Sequence, residues 1–125
     1  MAELEKKKIL LVDDSRTVRQ LLSLVLKKHI FCDITEACDG QEAAQSLGND
    51  CFDLMITDIN MPNMNGLSLI MKVRGEMDLG IPIIIVTTMG GEQDRDAGLD
   101  LGANSYVTKP INATTLVREA TDLLS

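Results

Sequence analysis

Three short stretches of the chain are apolar throughout: ILLV at 9–12, LMIT at 54–57 and IIIV at 83–86. They do not alternate with polar residues. A continuous apolar run of strand length marks a strand covered on both faces, as in a parallel sheet between helices. Two weaker runs, CDITEA at 32–37 and SYVT at 105–108, mix polar and apolar positions. Strands at a sheet edge have that character.

The gaps between these runs carry helical spacing. Val18, Leu21, Leu22 and Val25 recur at i, i+3, i+4, i+7 and predict one helix face. Ala43, Ala44 and Leu47 predict a short second helix, entered through the Asp39-Gly40 turn and closing near Gly48. Leu67, Ile70, Met71 and Arg74 predict a third. Asp94 to Leu101 gives a weak, Gly-flanked fourth, and Leu116, Val117, Ala120 and Leu124 give the last. The order is β-α five times over. Such alternation predicts an α/β fold with a parallel sheet and right-handed crossovers. Five strands are too few for an eight-fold barrel. An open, doubly wound sheet remains. The three most apolar strands belong at its centre, which predicts the order 2-1-3-4-5 of flavodoxin-like folds. Residues 1–7 read as a frayed start to a single domain spanning 1–125.

Composition narrows the function. The 125 residues suit one domain with one good core. With no Trp, one Tyr and two Phe, aliphatic side chains must fill it. The net charge of -7 disfavours nucleic acid as a direct partner. Cys32, Cys38 and Cys51 form no C-x-x-C pair, so reduced core thiols are expected. His29, the only histidine, falls at a helix end, where an exposed position is expected. The charged start MAELEKKK leads into too few apolar residues for a signal peptide, and no run is long enough to span a membrane. A cytoplasmic protein without membrane insertion is expected.

In an open α/β sheet, ligands bind beyond the carboxyl ends of the strands. The first strand runs into Asp13-Asp14, the third into Asp58, the fourth into Thr87-Thr88 and the fifth into Lys109-Pro110. Parallel strands bring these ends to one rim. Any one of them reads equally well as a turn or helix cap. Four strand ends together predict a pocket. Two carboxylates about 4 Å apart repel by roughly 4 kcal/mol at an effective dielectric of about 20. Lys109 offsets one charge, and a divalent ion offsets the others. Mg²⁺ suits one or two carboxylates with phosphate oxygen and water. Asp13 and Asp14 therefore read as a metal holder. Asp58 reads as a nucleophile toward phosphorus, with Lys109 and Thr87 at the phosphoryl oxygens.

These residues carry a family resemblance. ILLVDDS at 9–15, DLMITDINMPNMNG at 53–66, PIIIVTT at 82–88 and GANSYVTKP at 102–110 resemble response-regulator receiver domains, close to the stand-alone, CheY-like chemotaxis type. The resemblance covers essentially the whole chain. It implies that Asp58 accepts a phosphoryl group from a partner histidine kinase. Asp13 and Asp14 would be the Mg²⁺-binding acidic pair, with the backbone carbonyl of Asn60 as a further ligand. Lys109 would pair with the phosphoryl group, and Thr87 and Tyr106 would form a switch pair. A cis Lys109-Pro110 bond is implied as well. The output surface would be the fourth helix, fifth strand and fifth helix, acting on a downstream protein such as a flagellar motor switch, with the chain expected to act as a monomer without an output domain. Gly90 and Gly91 follow Thr88 and read as a hinge or as a loose helix start. Thr88 stands where the family often has Ala or Gly, and with Met89 it borders the entrance. Slower phosphate loss than in Thr88→Ala is expected; equal decay rates would contradict this.

Other readings fit parts of the pattern. A phosphate shuttle or sink would share the chemistry. A Mg²⁺-dependent phosphatase with an aspartyl intermediate often has a second acid two residues after the nucleophile, where this chain has Asn60. A flavin carrier needs a phosphate-cradling first loop, and Asp13 and Asp14 repel phosphate.

Overall fold

The computed structural model describes residues 5–88 and 91–125. Five strands and five helices alternate: β1 Lys7–Val12, α1 Arg16–His29, β2 Cys32–Ala37, α2 Gly40–Asn49, β3 Leu54–Asp58, α3 Gly66–Met71, β4 Ile83–Thr87, α4 Glu92–Leu101, β5 Ser105–Thr108 and α5 Ala113–Leu124. The strands form one parallel sheet in the order β2-β1-β3-β4-β5. This is the doubly wound α/β architecture expected from the apolar runs.

The continuous runs owe their character to burial on both faces. Every residue of β3 and β4 is buried. Leu10, Val12, Met55, Ile83 and Ile85 pack with Ala43, Leu47, Leu69, Ile70 and Val73. Ile9, Leu11, Leu54, Ile56, Ile84 and Val86 pack with Leu22, Leu26, Leu116 and Ala120. Successive strand residues thus alternate between a core under α2 and α3 and a core under α1 and α5. The edge strands are half-exposed, as their mixed composition predicts.

Several expectations need correction. Lys7 is not frayed: it opens β1, pairs with Cys32 and donates its N–H to the Phe31 carbonyl at 3.0 Å. Residues 1–4 lie outside the described residues. Helix α2 closes at Asn49, next to Gly48 as expected, but α4 begins two residues early, at Glu92. The face of α1 that packs inward centres on Leu22 and Leu26, while Leu21 is 46% exposed. Met71 is 53% exposed, whereas Ile70 faces inward as expected, joined by Leu69 and Val73. Helix α3 passes at Lys72–Glu76 into a π-helical turn, which rotates the residues that follow Met71. Arg74 in that turn donates to the carbonyls of Leu79 and Gly102. Only Cys32 is a core thiol; Cys38 and Cys51 lie exposed on the connections flanking α2. His29 is exposed at the end of α1, as expected.

Candidate functional site

The carboxyl ends of the strands meet at one rim because all five run in the same direction. Strand pairing sets Val12 beside Thr57, Asp58 beside Val86 and Thr87 beside Thr108. The next residues along β1 and β5 are Asp13 and Lys109. One oxygen from each of Asp13, Asp14 and Asp58 can be chosen so that all lie within 4.8 Å of one another. Lys109 Nζ is 3.4 Å from Asp58 Oδ2 and 3.4 Å from Asp13 Oδ2. The lysine is positioned by its backbone, whose N–H donates to the Thr87 carbonyl at 2.6 Å; the Lys109-Pro110 bond that follows is cis.

Local backbone geometry aims the acids. Asp13 Oδ1 accepts the Ser15 N–H at 2.8 Å, and Ser15 caps α1 by accepting from the Val18 N–H. Asp58 Oδ1 accepts the Ile59 N–H at 2.8 Å. The loop after β3 then folds back closely. Gly66 donates its N–H to the Ile59 carbonyl, and a Cβ on Gly66 would sit 2.3 Å from the Asp58 carbonyl oxygen. The other side of the loop is tied to α2. Gly40 donates to the Met64 carbonyl, and the Asn63 amide, at a positive φ of 65°, donates to Asp39 Oδ2 at 2.7 Å. Asp39 also caps α2 through the Glu42 N–H, and these two bonds hold its carboxyl below the usual carboxylate range.

The site has the electrostatics of a cation holder. Asp13 is only 1% exposed, and its Oδ2 has no hydrogen-bond donor although Lys109 is near. An ionised oxygen left so is costly. Burial pushes the Asp13 carboxyl up and the Ser15 N–H draws it down; Asp58 raises it further and Lys109 lowers it. Burial disfavours the Lys109 ammonium, but Asp58 and Asp13 outweigh that and hold it above the ordinary lysine value. A divalent cation fits this donor set, since it supplies the positive charge that the undonated oxygen faces. Asp14 is exposed at the mouth, and Asn60 is exposed on the loop two residues beyond Asp58.

A pH dependence follows. A carboxyl whose pKa is raised by folding takes up its proton in the native state first. Its ionisation therefore costs native stability as pH rises through the carboxylate range, and the cost persists above it. Metal-free Asp13→Asn is expected to melt at higher temperature than wild type at pH 7, with the gap closing as pH falls through the native Asp13 pKa. Thermal melts in chelator across pH check this; a gap that widens on acidification would contradict it.

Thr87 is buried at the end of β4. Tyr106 is 38% exposed, its ring stacked under the Arg95 guanidinium at 4.9 Å. Thr87, Thr88, Gly91, Arg95 and Tyr106 line a small cavity of about 140 Å³ beside the acidic rim. Thr88 is exposed at its edge. Gly91 directly precedes α4, while Met89 and Gly90 lie outside the described residues. Sequence reading did not find Asp39 or Asn63 as partners of the site. Asp39-Gly40 and the NMNG turn were visible only as turn signals, and a turn signal does not say which other loop it touches.

Residues 9–121 match the family model described as the response regulator receiver domain. A chemotaxis protein CheY homolog of Campylobacter jejuni is 41% identical over 119 residues, covering 94% of this chain and 92% of the relative. Chemotaxis protein CheY1 of Helicobacter pylori is 41% identical over 111 residues, covering 87% and 90%. Among solved structures, the chemotaxis response regulator CheY4 of Vibrio cholerae is similar at a TM-score of 0.87 and 32% identity, covering 96% of this chain and 100% of that one.

Proposed function

Since the chain belongs to the response-regulator receiver family, we propose that it is a phosphorylation-controlled signalling module acting in chemotaxis, with Asp58 as the phosphoryl acceptor. The observation that carries this reading is the convergence of Asp13, Asp14, Asp58 and Lys109 on one rim, with an undonated carboxylate oxygen among them.

The chemistry follows from the positions. A carboxylate oxygen of Asp58 bonds to phosphorus as the P–N bond of a kinase phosphohistidine breaks. The electron pair returns to the imidazole nitrogen, which takes a proton from water. Asp13, Asp14, Asp58 and the Asn60 carbonyl would hold Mg²⁺, which supplies charge neutralisation to the incoming phosphoryl oxygens. Lys109 Nζ, within reach of Asp58 Oδ2, pairs with one of those oxygens in the product. The Ile59 N–H keeps Asp58 aimed at the rim while charge develops.

The readout runs through Thr87. Phosphorylation brings close to two negative charges to the end of β3. The Thr87 hydroxyl turns toward the phosphoryl oxygens, which enlarges the cavity that it shares with Tyr106, and the Tyr106 ring leaves Arg95 to fill it. Shifting such an element from mostly off to mostly on takes about 5.5 kcal/mol of differential binding. A few charge-assisted hydrogen bonds are of that order. The face of α4, β5 and α5 would then present a changed surface to a downstream protein, a flagellar switch being the target that the chemotaxis relatives suggest. Thr88 stands at the entrance, so Thr88→Ala is expected to shorten the phosphate lifetime.

The direct experiment is incubation with Mg²⁺ and a small acyl phosphate. Mass spectrometry is expected to find one added phosphoryl group, absent in Asp58→Asn and in chelator. Incorporation that persists in Asp58→Asn would overturn the assignment. Multiple turnover on phosphate esters would instead indicate a phosphatase.

A further inference from the structure

We infer that Arg19 is a positioning residue for the acidic loop: it fixes the Asp13-Asp14 peptide in the orientation from which Asp14 meets a divalent cation. This rests on the metal-binding reading above. Arg19 lies four residues after the Ser15 cap of α1 and reaches back to the end of β1. Its Nη1 donates to the Asp13 backbone carbonyl at 2.5 Å, and its Nε donates to Glu36 Oε1 at 2.9 Å. The side chain is 14% exposed. Glu36 precedes Ala37 on β2, and the Ala37 carbonyl accepts the Asp13 N–H at 3.1 Å. Both backbone groups of Asp13 are thereby tied to the same end of β2, one directly and one through the guanidinium.

The arrangement bears on Asp14. The peptide plane that contains the Asp13 carbonyl also contains the Asp14 nitrogen, so fixing one orients the other. Asp14 is exposed, and packing does not set its direction. The guanidinium does so because its planar fork serves two acceptors at fixed angles. A lysine ammonium carries the same charge but lacks that fork. Outer contacts that orient metal ligands typically change affinity by about 10- to 100-fold when removed. Arg19→Ala would mix two opposed effects, since losing a nearby positive charge favours a cation. Arg19→Lys separates them.

The test is calorimetric titration of the full chain with Mg²⁺, with thermal melts of the same samples in chelator. Wild type, Arg19→Lys, Glu36→Gln and the double variant are compared. Arg19→Lys is expected to bind Mg²⁺ about tenfold more weakly or worse, and the double variant no more weakly than Arg19→Lys. A purely structural role would lower the melting temperature and leave Mg²⁺ affinity in place; that result overturns the inference. Additive losses in the double variant would remove Glu36 from the mechanism and overturn it also. Wild type that binds no Mg²⁺ would overturn the metal reading itself, an outcome distinct from equal binding by wild type and Arg19→Lys.

Discussion

Replacing Lys109 with methionine is expected to cut the initial rate of phosphoryl incorporation on Asp58 by about 10²- to 10³-fold, the usual cost of removing one preorganised donor from a site where charge develops. The Lys109 ammonium is the cation shared by Asp13 and Asp58, at 3.4 Å from each. Methionine keeps an unbranched apolar stem, one atom shorter, and removes the charge. Mg²⁺ binding should persist or tighten, because an ammonium beside the site repels a second cation. Incorporation therefore falls without any loss of binding. Rates from mass spectrometry and affinities from calorimetry check this together. A variant that incorporates at the wild-type rate would show that Lys109 takes no part in the step.

The second large effect concerns the backbone. Gly66→Ala is expected to destabilise the protein by about 3 kcal/mol, at the upper end for overpacking. An added Cβ would lie 2.3 Å from the Asp58 carbonyl oxygen and 2.8 Å from the Ile59 Cα. Both are main-chain atoms, so no side chain can swing aside. Relief requires moving the chain that carries Asp58 or opening the Gly66 N–H bond to Ile59. Incorporation at temperatures where the variant remains folded should also fall, because Asp58 leaves its aligned position. Chemical denaturation gives the first quantity; an unchanged midpoint would mean that the loop adjusts without cost.

Much of the fold was legible because β1, β3 and β4 are buried on both faces and so read as unbroken apolar runs. Strand order followed from the same fact: the half-polar runs at 32–37 and 105–108 became the edges. The rim was legible because acids immediately after such runs have few other places to go. What escaped has physical reasons too. Leu21 and Met71 match helical spacing, yet they point outward, since periodicity selects a stripe and tertiary packing chooses its centre. The π-helical turn at Lys72–Glu76 breaks the period at Arg74, the last residue of the expected third face. Cys38 and Cys51 were expected inside on residue type alone, but each sits on a connection where no core is at hand. Arg19 resembles any surface arginine in sequence; its role depends on β1 and β2 being neighbours. The close approach at Gly66 likewise appears only once α3 is seen to start beside Asp58.

The proposed chemistry requires Asp13, Asp14 and Asp58 to hold one divalent cation between them. A crystal grown with Mn²⁺ as an anomalous probe measures this most directly. One anomalous peak per chain is expected at the rim, within about 2.3 Å of carboxylate oxygens of the Asp13, Asp14 and Asp58 cluster, a bond length appropriate to such ions. A peak elsewhere, or none at the rim with the cation in excess, would contradict it.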